Sequence, residues 1–140
     1  MNKDVSVLHS PPVFTSPYIK EIIDLSEDHS DIEKLLSEFG FTESLSMARM
    51  RILFYNDFQM SVIRGAQSFG GREGLFEIAI YYPDIGMTDL YFDEHDKGDN
   101  VLGHCLAERV QYYIDKIGSI LNTDLRPMKT ELIEFKNEIR

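Results

Sequence analysis

The sequence predicts an α+β domain in which a four-stranded antiparallel meander is packed by one long helix, with short N-terminal helices and a C-terminal helix. Three observations carry this. Between residues 48 and 92, apolar runs of strand length are separated by turn chemistry. The stretch Ser68-Phe69-Gly70-Gly71-Arg72-Glu73-Gly74-Leu75-Phe76-Glu77 holds three glycines in five positions between two such runs, a hairpin connection that needs positive φ. From Cys105 to Leu121, Leu106, Val110, Tyr113, Ile114, Ile117, Ile120 and Leu121 recur as a single apolar stripe of helical period.

Along the chain, residues 1–16 read as an extended arm, with Pro11, Pro12 and Pro17 and few periodic apolar positions. A single domain spans 17–121. Ser16 caps a first helix with Pro17 at its first position and Ile19, Ile22 and Ile23 on one side. A second helix starts at Ser30, with Glu33 completing a capping box and Gly40 closing the end; Leu35, Leu36 and Phe39 face the core. Strands follow at Ala48 to Tyr55, Phe58 to Arg64, Leu75 to Tyr82 and Thr88 to Phe92. The first pair is joined by a two-residue turn at Asn56-Asp57, and the last by Pro83-Asp84-Ile85-Gly86. After the long helix, residues 122–140 form a C-terminal extension. Its Met128, Leu132, Phe135 and Ile139 make a narrow seam, either a core face or a stripe for a partner or a second copy of the chain.

Composition bounds function. The 140 residues suffice to bury one core, and the single cysteine excludes an internal disulfide and a cysteine-based zinc site. No apolar run nears the roughly 18 residues of a membrane span, and the first residues lack the pattern of a signal peptide, so a cytoplasmic protein is expected. Net charge is −10, from 24 acidic against 14 basic residues. That balance disfavours direct nucleic-acid binding, which depends on Lys and Arg neutralising phosphates, and makes a basic protein surface the natural partner.

No stretch supplies a catalytic signature. Read as a calcium loop from Asp93, the acidic segment 93–100 puts His95 third, Lys97 fifth and His104 twelfth, where oxygen ligands belong, so neither metal nor cofactor is expected. His104-Cys105 at a helix start would suit a nucleophile, but adjacent helical side chains diverge by about 100°, and a small buried cysteine is the expectation. Gly70-Gly71-Arg72-Glu73-Gly74 lacks the lysine and hydroxyl of a phosphate loop and joins two strands. Arg64 and Arg72, with Gln67 and Phe69 at the hairpin tip, are left as a small recognition surface.

Ser61-Val62-Ile63-Arg64-Gly65, the glycine hairpin from Phe69 to Ala79, and Asp99-Asn100-Val101-Leu102-Gly103-His104 leading into a helix together resemble a family of short proteins encoded by bacteriophages and prophages. The resemblance runs from Met50 to Ile117 and leaves both ends of the chain without a counterpart. With the acidity, it implies a non-enzymatic inhibitor or adaptor in an infected host cell, in its sharpest form an anti-CRISPR-like protein that occupies a basic groove of a host defence effector. The carboxylates expected to carry this are Glu21, Asp24, Glu27, Asp28, Asp31 and Glu33 on the N-terminal helices and Asp93, Glu94, Asp96 and Asp99 on the loop. The alternative is a binder or sponge for a nucleotide signal that uses Arg64, Arg72, Tyr81 and Tyr82 along the sheet edge; it requires a concave pocket.

Overall fold

The computed structural model describes residues 13–41, 46–65 and 74–121. Alternation decides the centre of the sheet. In β2 (Met47–Phe54), Ala48, Met50, Ile52 and Phe54 are buried while their neighbours are half-buried. β3 (Gln59–Gly65) buries Met60 and Val62, and β4 (Phe76–Tyr82) buries Phe76, Ile78, Ile80 and Tyr82. A period of two places each of these sets on one face of the sheet. Against that face α2 (Ala107–Gly118) lays Val110, Tyr113, Ile114 and Ile117, all fully buried.

The chain is α+β, but among the described residues its antiparallel sheet has six strands rather than four. In place of the first expected helix, β1 (Ile19–Asp24) pairs with β2. Ser16 does anchor a turn, its Oγ accepting the Tyr18 N–H at 3.2 Å and its carbonyl the Ile19 N–H at 3.3 Å. Beyond that turn, β-branched Ile19, Ile22 and Ile23 suit a strand at least as well as a helix, and the open edge of β2 offers the hydrogen bonds.

The last expected strand shrinks to β5 (Gly86–Thr88), because Thr88 Oγ1 takes the Leu90 N–H and the Asp89 carbonyl takes the Phe92 N–H, turning the chain away. An unexpected strand, β6 (Val101–Cys105), returns to β4. β5 pairs with Ile80–Tyr82 and β6 with Phe76–Ala79, so both share one edge of β4 and segment 89–100 is an excursion between them. The long helix therefore starts at Ala107, not Cys105. His104 sits at φ 57° and Leu106 is extended, which holds the preceding residues out of helical geometry.

α1 (Ser30–Ser37) stands where expected and ends at Gly40 with φ 88°. Its capping differs. His29 is the cap residue, and Glu33 Oε1 accepts the N–H and hydroxyl of Ser46 at 2.7 and 3.0 Å instead of reaching back to Ser30. Leu35 and Phe39 are exposed and not in the core.

The β2–β3 connection has four residues, Tyr55 to Phe58, rather than two, with Asp57 at φ 72°; its N–H bonds the Phe54 carbonyl at 3.1 Å, and the Phe54 N–H bonds the Phe58 carbonyl at 3.1 Å. Of the glycine hairpin, Gly74 holds φ 77°, while Gly70, Gly71 and Arg72 lie outside the described residues. So do residues 1–12 of the expected arm and the seam at Met128, Leu132, Phe135 and Ile139.

Candidate functional surfaces

The N-terminal carboxylates gather on one side of the fold. Glu21 and Asp24 lie on β1, an edge strand; Glu27 follows in an isolated bridge to Met47; Asp31 and Glu33 belong to the first turn of α1. Not all point outward. Glu33 is committed to Ser46, and Asp24 Oδ1 and Asp28 Oδ1 accept the N–H groups of Ser26 and Ser30. The backbone bond from Ser26 holds the Asp24 carboxyl below its ordinary pKa. Among these acids stand exposed apolar side chains: Ile22, Leu25, Ile32, Leu35, Phe39 and Phe41. α1 contributes no buried residue, so its amphipathic pattern is not spent on this domain's core.

The second acidic group behaves otherwise. Asp93 and Asp96 bind the loop to α2: Lys116 Nζ reaches Asp93 Oδ1 at 2.9 Å, the Tyr112 hydroxyl donates to the same oxygen at 3.0 Å, and Arg109 Nη2 bonds Asp93 Oδ2 at 3.4 Å. Arg109 also pairs with Asp96 Oδ2, to which the Tyr113 hydroxyl donates at 2.5 Å. The Lys116 ammonium foremost holds the Asp93 carboxyl below its usual range. Burial alone would raise Asp96, but the Tyr113 hydroxyl and the Arg109 guanidinium outweigh it and leave that carboxyl lowered too. Glu94 pairs with Lys97 at 2.9 Å, and Asp99 is exposed. This segment is a neutralised latch more than a free acidic face.

Of the four residues expected to hold a small ligand, the three that are described do not share a face. Tyr82 is buried in the core, where its ring stacks on Tyr91. Arg64 lies on the same face, its guanidinium 4.7 Å from the centre of the Phe76 ring, and burial lowers its pKa. Tyr81 alone faces the opposite side, and Arg72 lies outside the described residues.

That opposite side holds something the sequence reading missed. Register aligns Ile23, Arg51, Ser61, Ala79 and Val101 in one row across the sheet, with Arg49 and Ile63 in the row beside it. Arg51 lies over the Tyr81 ring at 4.2 Å and donates to Gln59 Oε1 at 3.4 Å; Arg49 meets only the Met47 sulfur at 3.6 Å, and its Nε is buried without a hydrogen-bond partner. Neither arginine has a carboxylate partner among the described residues. Arg-x-Arg inside an alternating strand was the signal for it, since residues two apart share a face.

Cys105 is buried on β6 with its thiol directed at the Leu102 and Gly103 carbonyls, and burial pushes its pKa up to about 11, which suits a packed side chain and not a nucleophile. A cleft of about 200 Å³ beside it is lined by Asp96, His104 and Arg109, of which Asp96 and Arg109 already pair in the latch. A larger cleft of about 440 Å³ lies between Lys20, Asp57, Gln59 and Asp84 at the far end of the sheet. Among the described residues no group of three His, Cys, Asp or Glu is placed to hold a metal, and no helix is long and apolar enough to cross a membrane.

Family models, curated proteins and solved structures were all compared with the chain, and none matches it.

Proposed function

We propose that the protein is a non-enzymatic binding protein that engages a basic surface of another protein, an inhibitor of the anti-defence kind. One observation carries the reading: between Lys20 and Phe41, exposed apolar side chains are interleaved with seven acidic against two basic residues, on elements that contribute little to the core. An apolar centre with a charged rim is the anatomy of a protein interface, the apolar groups supplying affinity and the carboxylates steering encounter. The likeness to phage-encoded proteins points to a nucleic-acid-binding defence effector, whose groove is basic by necessity.

Cleavage by a panel of purified CRISPR nucleases, with and without the protein, tests this. Inhibition is expected for at least one, weakening as salt shortens the Debye length below about 10 Å. The combined change Glu27→Lys, Asp28→Lys and Asp31→Lys is expected to slow association far more than it speeds dissociation. No inhibition across the panel removes the anti-CRISPR form; binding indifferent to salt and to the triple change removes the acidic mechanism.

A second reading, a small anionic ligand such as a nucleotide, is favoured by Arg49 and Arg51, which have no carboxylate partner among the described residues and lie half-buried on the sheet face opposite α2, beside the Tyr81 ring. Planar guanidinium groups match phosphate oxygens. Calorimetric titration with a nucleotide panel decides it: stoichiometric heat that Arg51→Ala abolishes supports the ligand, and flat isotherms throughout dismiss it.

A further inference from the structure

We propose that two copies of the chain pair through the outer edge of β1, antiparallel about a two-fold axis at Ile22, joining their sheets into one. The inference is independent of the partner proposed above.

The backbone shows which groups are available. Leu25 and Glu27 donate their N–H groups to the Arg49 and Met47 carbonyls at 2.9 Å, and the register continues through Ile23 opposite Arg51 and Glu21 opposite Leu53. From Glu21 onward, the odd-numbered residues therefore turn their hydrogen-bonding groups to β2 and Ile22 and Asp24 turn theirs outward, while Lys20 sits at the register shift between Ile19 and Glu21 and contributes its side-chain charge. No strand among the described residues takes them. The other edge of the sheet is different: it is divided between short β5 and β6, with the latched segment between them. Among the described residues β1 is thus the open edge, and open edges recruit strands. Its side chains are bare as well, with Ile22 at 39% and Ile23 at 37% exposure.

The occupant follows from self-complementarity, which an isologous contact requires. Centring the pair on Ile22 sets Ile22 on Ile22 of the partner subunit and Lys20 opposite Asp24 of the partner subunit, twice over. Centring it on Lys20, Glu21 or Asp24 sets like charges on the axis, and centring it on Ile23 sets Asp24 against an isoleucine. Opposite charges directly across two strands stabilise and like charges destabilise, so one register stands out. Asp24 uses Oδ1 on the Ser26 N–H and keeps Oδ2 for the partner's Lys20.

Sedimentation velocity of the full chain, with no other protein present, tests it. A reversible dimer is expected in the micromolar range. Lys20→Glu alone and Asp24→Lys alone each turn two attractions into two repulsions and are expected to weaken it about tenfold, while Lys20→Glu with Asp24→Lys restores wild-type association. Both residues are exposed, and circular dichroism of each variant verifies that the fold is kept. A wild-type chain monomeric at about 0.1 mM, a dimer unmoved by the single reversals, or a double variant that stays as weak as the singles overturns the proposal; a dimer of the second kind places the contact elsewhere on the molecule.

Discussion

Asn56 shows how much can rest on one side chain. It is buried in the β2–β3 turn, where its Nδ2 donates to the Ile117 and Ile120 carbonyls at 2.8 and 3.0 Å and its Oδ1 accepts the Phe58 N–H at 3.1 Å. One amide thus closes the hairpin and adds donors at the carbonyl end of α2, where the Ile117 carbonyl also accepts the Ile120 N–H at 3.3 Å. Asn56→Ala is expected to cost about 2–4 kcal/mol in urea unfolding, because it takes the acceptor from the buried Phe58 N–H and a donor from the Ile117 and Ile120 carbonyls. Asp96 makes a pH-dependent contribution. Its pKa is lowered in the folded chain, so its stabilisation is fully present above the unfolded value of about 3.9 and is lost as pH falls through the lower folded value. Asp96→Asn is expected to lower Tm at pH 7, with the gap from wild type closing below about pH 3; a gap independent of pH would mean that the charge plays no part.

At the scale of elements, α2 is set by a close approach at its end. A Cβ on Gly118 would collide with Tyr18 Cβ and come within 3.1 Å of Phe54. Glycine there lets the helix end lie against the turn that leads into β1. Gly→Ala in a helix ordinarily stabilises by up to about 1 kcal/mol. Here the opposite sign is expected: Gly118→Ala should destabilise by about 1–3 kcal/mol, as overpacking does, read as a lower urea midpoint at unchanged m. The neighbouring element β1 is held by β2 on one side only, which is why its outer edge is the place to look for a second chain.

At the scale of the whole molecule, charge is partitioned. Among the described residues, Arg109, Lys116 and Lys97 are spent on the 93–97 segment, so uncompensated negative charge concentrates on the β1–α1 side and the sheet face opposite α2 keeps two arginines without a carboxylate partner. Cooperativity can be read from Cys105, whose thiol is 3% exposed in the core that α2 covers. Reaction with a thiol reagent at pH 8 is expected to be slower than in the urea-unfolded chain by about 10³-fold or more, since it must await opening of the fold. A native rate near the unfolded one would place Cys105 on a locally opening element.

Periodicity is a local property, and what depends on it was legible from the residues alone: β2 to β4 from alternation, α2 from its stripe, the end of α1 from Gly40. Pairing is not local. Ile19, Ile22 and Ile23 fit a helix face and a strand alike, and only the open edge of β2 chooses the strand; Val101 to Cys105 becomes β6 because β4 has a free side. The same holds for the candidate sites. The acids of the N-terminal segment were visible as a group, but that Asp93 and Asp96 are neutralised depends on Arg109 and Lys116 arriving from the next helix, and Asn56 finds its carbonyls 61 to 64 residues away. Composition determined the sign of this protein's charge, whereas its distribution was decided by tertiary contacts, because a side chain's partner is set by where the backbone returns and not by its neighbours in sequence.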